Sequence, residues 1–214
     1  PTRRNINITK VDQSLQLFSF PPNKNSISIK NNRIKFSFLN INSSFNVNEV
    51  NFNYKHNGDL WRYNLNYFDW LNQKNPNLNL GINTLSEYYS KSNFNPISFH
   101  PYPASLRVVN SVKFYLTHDI TTKELMNGLA ADLDLISRRL EFHIMGNHLL
   151  ENAFALFIGG IFLCNKKWTT KGLKLMKNQL NEQILFDGMH FERSPMYHMI
   201  IMERLLDTLN ISIS

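Results

Sequence analysis

The segment between residues 140 and 163, LEFHIMGNHLLENAFALFIGGIFL, restricts the possible folds of this chain more than any other part. Apolar residues cover almost every face of a helix drawn over its second half, and such a helix belongs in a protein interior. Three polar residues, Asn147, His148 and Glu151, lie near its start. Buried polar groups need hydrogen-bond partners or a chemical role. The segment therefore predicts a central helix whose amino end carries either structural polar contacts or a functional site.

The composition indicates a globular chain with a basic surface. It has 214 residues, of which 43% are hydrophobic, enough for the core of one large domain or two small ones. The formal charge of +7 points to a polyanionic partner: nucleic acid, an anionic membrane face or an acidic polysaccharide. The basic residues are scattered rather than clustered, which argues against nucleic-acid binding.

Cysteine content and hydropathy exclude two further classes. A single cysteine, Cys164, cannot form an intrachain disulfide, so packing must hold the fold. The apolar run from Leu149 to Cys164 is too short and too interrupted to predict a membrane span. The first residues, PTRRNINITK, lack the apolar core of a signal peptide but also lack an initiator Met, which is compatible with a removed leader.

The two halves of the chain differ in composition. Of 30 Asn residues, 22 precede residue 96. Asn favours turns over helices, so we expect the first part to be loop-rich. Alternating stretches at 26–30 and 33–38 predict short strands within an irregular segment that covers residues 1–57.

An aromatic cluster lies between Leu60 and Leu71 and contains Trp61, Tyr63, Tyr67, Phe68 and Trp70. Such residues, interleaved with Arg62 and amides, can stack on sugar rings or bases. Packing in a core is the commoner use of an aromatic cluster and is the favoured interpretation here.

The second half reads as about five helices joined by short loops. A helix is predicted from Thr84 toward Lys91, and another runs to Leu116 with Pro103 in its first turn. Thr121 or Thr122 caps the next helix. After the central helix, the pattern predicts helices over 169–185 and from Pro195 to about Leu209, the latter capped by Ser194. Such a series predicts an all-α antiparallel array.

Four blocks, in order, carry a family resemblance: LWRYNLNYFDWL, PYPASLRVVNSVKF, LEFHIMGNHLLENA and EQILFDGMHFERSPMYH. Together they span about residues 58–210 and resemble the N-terminal helical domain of the heparinase II/III-like polysaccharide lyases. The resemblance implies an all-α fold, an incomplete (α/α) toroid of antiparallel helix pairs over residues 58–214. In the family a β-sandwich domain follows, so we expect a chain truncated before it. We also expect an exposed apolar or aromatic face where that domain docks, making the chain marginally soluble or oligomeric.

The family's reaction is β-elimination at a uronic acid, and the resemblance assigns roles to three residues. Asn147 and His148 would bind and neutralise the uronate carboxylate, with His148 also a candidate base. Tyr197 would donate a proton to the leaving oxygen and, as in some members, also act as base. Glu151, one helical turn beyond His148, is expected to fix the tautomer or orientation of the imidazole. For Tyr197 the alternative is a buried structural tyrosine.

Supporting and substrate-contacting residues follow from the same blocks: His198 in a supporting role, and Trp61, Arg107, Glu192 and Arg193 in the groove. A structural ion pair is an equal alternative for Arg107. In the family a further His from the β-sandwich completes the site, so this chain alone is expected to be inactive or weakly active. No cofactor or metal is expected, because His143 and His148 are five residues apart and do not share a helix face.

The sequence thus favours a bacterial lyase that acts on a uronate-containing acidic polysaccharide, such as a glycosaminoglycan or an alginate-like polymer. Family resemblance places it in the periplasm or cell envelope, with the cytoplasm still open. The alternative is a non-catalytic acidic-glycan-binding or surface-polysaccharide assembly protein with the same groove. Nucleic-acid binding rests on charge alone and would show as salt-dependent DNA binding stronger than glycan binding.

Overall fold

A computed structural model of the chain describes residues 3–4, 6–8, 10–12, 14–15, 22–144 and 146–212. Within these ranges a three-stranded antiparallel sheet precedes seven α-helices. The strands are β1 (Ile27–Lys30), β2 (Arg33–Phe38) and β3 (Ile41–Asn46). The helices are α1 (Asp59–Tyr67), α2 (Leu78–Lys91), α3 (Pro101–Thr117), α4 (Lys123–Arg138), α5 (Gly146–Phe162), α6 (Lys166–Gln183) and α7 (Pro195–Ser212). The predicted helical fold with short strands near its start is confirmed. The other positions of the chain, 1–2, 5, 9, 13, 16–21, 145 and 213–214, lie outside the described residues.

Two tight hairpins build the sheet in the order β1-β2-β3. Asn31-Asn32 and Leu39-Asn40 form the turns, all with φ between 50° and 62°. Asn adopts this left-handed conformation more readily than most residues, which gives part of the Asn excess a structural use. The third strand was not predicted, because its sequence INSSFN is mostly polar and exposed.

The sheet shares a core with the helices. Alternate residues of β2, Ile34, Phe36 and Phe38, are buried, as the period of a strand requires. The Phe38 ring meets Trp61 of α1 edge-on at 5.3 Å between ring centroids. Phe36 contacts Trp70 in the same way at 5.6 Å. The sheet therefore lies against α1 and the short 3-10 helix Asp69–Asn72 that follows it.

Helix α5 is the central helix that the sequence predicts. Every residue from Leu149 to Gly160 is buried, and α5 packs against α3, α4, α6 and α7. Glycines set its close approach to α6: a Cβ added at Gly172 would lie 2.4 Å from the backbone nitrogen of Phe157. The helix begins at Gly146, whose φ of +52° favours glycine.

No helix in the described ranges is both long and apolar enough to cross a bilayer.

Two helices begin earlier than predicted because asparagines cap them. The side chain of Asn77 accepts a hydrogen bond from the backbone nitrogen of Leu80 at 3.0 Å, so α2 starts at Leu78 rather than Thr84. The side chain of Asn165 accepts a hydrogen bond from the backbone nitrogen of Trp168 at 3.2 Å, so α6 starts at Lys166 rather than Thr169. An Asn N-cap satisfies a backbone N–H that the first turn leaves unpaired. Helix α7 begins at Pro195, as predicted.

Helix α7 carries an exposed apolar face. Five residues at helical spacing are between 42% and 62% exposed: Met196, Met199, Met202, Leu206 and Leu209. Phe186 and Phe191, in the segment before α7, are also exposed. An apolar face was predicted; its docking to a β-sandwich domain stays a prediction.

Candidate functional site

His148 lies in the first turn of α5, half-buried, between two fixed neighbours. The ring of Tyr102, from the start of α3, stacks on the imidazole at 4.1 Å between centroids with an interplanar angle of 24°. The imidazole Nδ1 is 3.5 Å from Oε1 of Glu141, in the turn before α5. One neighbour thus fixes the plane of the ring and the other engages one of its nitrogens.

Tyr102 also belongs to a tract of half-buried rings that extends to α1. We call Tyr63, Tyr67, Tyr102 and His148 the aromatic tract. Tyr67 meets Tyr102 edge-on at 6.1 Å, and Tyr63 stacks beside Tyr67 at 6.4 Å. The Tyr63 hydroxyl is 3.1 Å from Nδ1 of His100. Aromatic faces with polar edges suit sugar rings, which present C–H groups on one face and hydroxyls around the rim.

The turn before α7 is joined to the start of α5 through Gln183. Its Nε2 donates to the carbonyl oxygen of Gly146 at 2.9 Å, and its Oε1 lies 3.1 Å from Nε2 of buried His190. Tyr197, half-buried in the first turn of α7, has its ring 6.5 Å from the His190 ring. The block that holds Tyr197 is therefore connected to the block that holds His148, although about fifty residues separate them.

Two tyrosines of this site, Tyr67 and Tyr102, keep their protons. Burial raises the pKa of Tyr102, the groups Glu151, Tyr67 and Tyr197 raise it further, and Arg204 opposes them. Burial likewise raises the pKa of Tyr67. At neutral pH the hydroxyls of Tyr67 and Tyr102 are hydrogen-bond donors rather than bases.

Comparisons with known proteins identify the family. A family model described as "Heparinase II/III N-terminus" matches residues 32–213. The chain belongs to this family. It is 32% identical over 75 residues to a heparin-sulfate lyase of Bacteroides stercoris, an alignment that covers 33% of this chain and 11% of that relative.

Among solved structures, the fold matches the crystal structure of the heparan sulfate lyase HepC from Pedobacter heparinus with a TM-score of 0.56. The match covers 81% of this chain and 31% of that chain, at 20% sequence identity, so the likeness concerns the fold alone. It confirms the predicted helical toroid architecture. This member of the heparinase II/III N-terminus family thus spans about a third of the solved relative and a ninth of the curated one.

The expected contact between Glu151 and His148 is replaced by a different pairing. The Glu151 carboxylate accepts a hydrogen bond at 3.1 Å from Nε of Arg204 on α7, and Arg204 also bonds Asp207 at 3.1 Å. Burial raises the pKa of Glu151, with Arg204 opposing the shift. Helix packing brings a cation to Glu151, and the carboxylate beside His148 is that of Glu141. Glu151 therefore joins α5 to α7 beneath the site.

Two predicted substrate contacts are structural in this family member. Trp61 is fully buried, and its indole nitrogen donates to the carbonyl oxygen of Ile41 at 3.1 Å. Arg107 is also fully buried and holds Asp132 through two hydrogen bonds of 2.8 and 2.7 Å. Since neither side chain reaches the surface, the expectation that they contact substrate is wrong for this structure. Core packing and the ion pair are the alternatives that the structure supports.

The other predicted site residues surround the start of α5 and α7. Asn147 is half-buried next to His148, and Glu192 lies beside Gly146, where an added Cβ would be 3.4 Å from its Oε1. Arg193 is exposed with φ +53°. His198 is half-buried, and its Nδ1 is buried without a hydrogen-bond partner among the described residues. The roles that the resemblance gives these four residues stay predictions.

Sequence reasoning named Tyr67 in the aromatic cluster but assigned no site role to Tyr102, His100 and Glu141. Tyr102 and Glu141 stand within the resembling blocks, and His100 directly precedes one of them. Their contacts depend on helix packing, which the local sequence does not show. Among the described residues, no group of three or more His, Cys, Asp or Glu side chains is placed to hold a metal ion.

Proposed function

We propose that this chain provides the substrate-binding helical part of a polysaccharide lyase that cleaves a uronate-containing acidic polymer by β-elimination. The observation that carries the proposal is the fixed imidazole of His148, held by Tyr102 and Glu141 next to Asn147 and connected to the segment that bears Tyr197. Membership in the heparinase II/III N-terminus family supports the reaction class. The names of the two relatives support an acidic, sulfated glycan as the first substrate to test.

The chemistry requires a neutralised carboxylate. The C5 hydrogen of a uronate is too weakly acidic to leave while the adjacent carboxylate is fully charged. Asn147 can donate hydrogen bonds through its amide to the carboxylate as negative charge builds up, and His148 can do so through Nε2 when both of its ring nitrogens carry a proton. Preorganised donors of this kind typically stabilise a transition state by about 3 kcal/mol each. The stacked Tyr102 ring keeps His148 from turning away from that position.

Two proton transfers complete the elimination. A base takes the C5 proton, for which His148 and Tyr197 are the candidates, and an acid protonates the glycosidic oxygen that leaves C4. Tyr197 is the proposed acid, because the resemblance assigns it that role and its segment is joined to the start of α5 through His190 and Gln183. Atoms and charge balance: the C5–H electron pair forms the C4–C5 double bond, and the C4–O bond breaks with protonation of the oxygen. General acid–base catalysis of this kind contributes about 100-fold to 10,000-fold.

The aromatic tract gives the polymer a place to lie. Tyr63 and Tyr67 continue the surface of Tyr102 away from His148, so neighbouring sugars can stack there while one uronate occupies the reacting position. The formal charge of +7 favours an acidic polymer over a neutral one. We place this activity in the periplasm or cell envelope, where external polysaccharide reaches a bacterial protein.

The test is product formation. The protein is expressed as this chain and as a longer form that includes any coding sequence after Ser214. Both are incubated with heparan sulfate, alginate and hyaluronan, and the ultraviolet absorbance of the unsaturated uronate is followed. Product from the longer form with at least one polymer is expected. Glycan binding without product from either form would overturn the lyase proposal and support the non-catalytic glycan-binding alternative.

A further inference from the structure

His148 is held by a buried chain of polar side chains that starts at Glu141. The two oxygens of the Glu141 carboxylate have different partners: Oε1 is 3.5 Å from Nδ1 of His148, and Oε2 accepts from Nδ2 of Asn152 at 3.0 Å. Glu141 is 5% exposed and Asn152 is fully buried. The carboxylate therefore has a fixed orientation in a region that water does not reach.

Asn152 holds Glu141 at two points. Its Oδ1 accepts a hydrogen bond from the backbone nitrogen of Glu141 at 3.1 Å, while its Nδ2 donates to the carboxylate. The same Nδ2 group donates to Oγ of Ser105 on α3 at 3.0 Å. The turn before α5 is thus tied to α3 and to the middle of α5. A carboxylate held in this way cannot swing into solvent to avoid the imidazole.

A carboxylate accepts hydrogen bonds and cannot donate them, so the imidazole nitrogen that faces it must carry a proton. In neutral imidazole only one nitrogen carries a proton, and the partner of one nitrogen decides the state of the other. Glu141 faces Nδ1 at one edge of the His148 ring. Tyr102 is the other titratable residue in the described ranges that packs against this ring, and it covers a face without contacting a ring nitrogen. His100, on the approach to α3, has its Nδ1 3.1 Å from the hydroxyl of Tyr63.

We propose that Glu141 is a positioning residue that sets His148 in the Nδ1–H tautomer and leaves Nε2 as the nitrogen that meets substrate. The importance of Glu141 for turnover rests on the proposed lyase function, whereas the assignment of the His148 tautomer does not depend on that function. The sequence spacing had suggested Glu151 for this role, but Arg204 occupies that carboxylate. Asn152 and Ser105 act through Glu141 and extend the positioning chain into the core.

Nuclear magnetic resonance of imidazole nitrogens tests the tautomer directly. The chain is labelled with ¹⁵N-histidine, and spectra are recorded at increasing pH until the imidazole signals of His148 no longer change, so that the neutral ring is observed. His148→Gln identifies its signals among the seven histidines. In the wild type we expect a protonated Nδ1 and an unprotonated Nε2. A wild-type spectrum with the proton on Nε2 would overturn the proposal.

Glu141→Gln provides the matched perturbation. Gln keeps the shape and can still accept from Asn152 through its oxygen, which turns its NH₂ group toward His148 Nδ1 and should move the proton to Nε2. Glu49→Gln, a change of the same kind at an exposed carboxylate after β3, should leave the His148 signals unchanged. If Glu141→Gln does not fold, Glu141→Asp withdraws the carboxylate by one methylene and should weaken the Nδ1–H preference. An unchanged tautomer in a folded Glu141 variant would refute the proposal.

The kinetic consequence is measured separately, in a form that makes product. Glu141→Gln should lower kcat at least tenfold while changing KM less than threefold, because the imidazole remains in place but its Nε2 then carries a proton and cannot take the C5 proton. Equal losses in kcat and in folded fraction would indicate a purely structural role and contradict the proposal. If no form makes product, the proposed function fails, and the tautomer result still decides whether Glu141 positions His148.

Discussion

Replacement of Arg107 by Met separates a structural role from a substrate-binding role. In the structure Arg107 gives two hydrogen bonds to Asp132 and one of 3.2 Å to the carbonyl oxygen of Asn66, and its guanidinium lies 4.5 Å from the centre of the Tyr88 ring. Met keeps much of the volume but removes the charge and every donor. Asp132 would then be a buried carboxylate with Arg3 and the Tyr89 hydroxyl as its remaining partners.

The loss of one partner from a buried ion pair typically costs about 3 to 5 kcal/mol. Because Arg3 still contacts Asp132, we expect the lower end, about 3 kcal/mol. For a chain of this size that corresponds to a fall in Tm of about 6 to 12 °C. Urea denaturation followed by circular dichroism measures the free energy of unfolding, and heparan sulfate binding by the folded fraction is measured alongside.

Arg138→Met is the matched control. Arg138 pairs with Asp134 on the same helix that holds Asp132, but its side chain is 34% exposed. Its removal should cost less than about 0.5 kcal/mol. A folded, fully stable Arg107→Met protein that had lost glycan binding would refute the structural assignment and return Arg107 to the groove.

Two further changes test the packing and the buried charge. Gly172→Ala should destabilise the chain by about 2 kcal/mol or more, because a Cβ would lie 2.4 Å from the backbone of α5. The control is Lys174→Ala, an exposed position on the same helix, which should leave the stability nearly unchanged. Equal shifts in Tm for the two variants would argue against tight packing between α5 and α6. Burial raises the pKa of Asp69 from 3.8 to about 6, so folding favours the protonated carboxyl group. The contribution of Asp69 to the free energy of unfolding is therefore complete below about pH 4 and is lost as the pH rises to 6. Relative to wild type, Asp69→Asn should therefore gain up to about 1.4 kcal/mol between pH 5 and pH 7 in urea titrations, and a constant difference would contradict the shift.

The sequence could predict the central helix because its apolar pattern has one physical solution. A helix that is apolar on nearly all faces must be buried, and α5 is buried from Leu149 to Gly160. Helix starts were less predictable, since Asn77 stands among many other asparagines and Asn165 lies in a polar break whose exact capping residue the pattern does not specify. The third strand was not predicted because it is mostly polar and none of its residues is fully buried.

The partners of charged residues could not be predicted from spacing. Glu151 is one turn from His148 along the helix, but Arg204, 53 residues away, reaches it once α7 packs on α5. Glu141 precedes His148 by seven residues and contacts it only because the chain turns between them. Arg107 resembles a surface binding residue in sequence, yet a buried carboxylate on α4 accepts hydrogen bonds from two of its nitrogens. Such pairings are fixed by tertiary packing.

The most direct test of the central proposal is the effect of Tyr197→Phe on turnover and on binding, measured in the same form of the protein. Phe keeps the ring near His190 and removes only the hydroxyl that would protonate the leaving oxygen. We expect the rate of unsaturated-uronate formation to fall by about 100-fold or more, with glycan affinity within about threefold of wild type. A variant that binds the polymer and forms product at the wild-type rate would contradict the account.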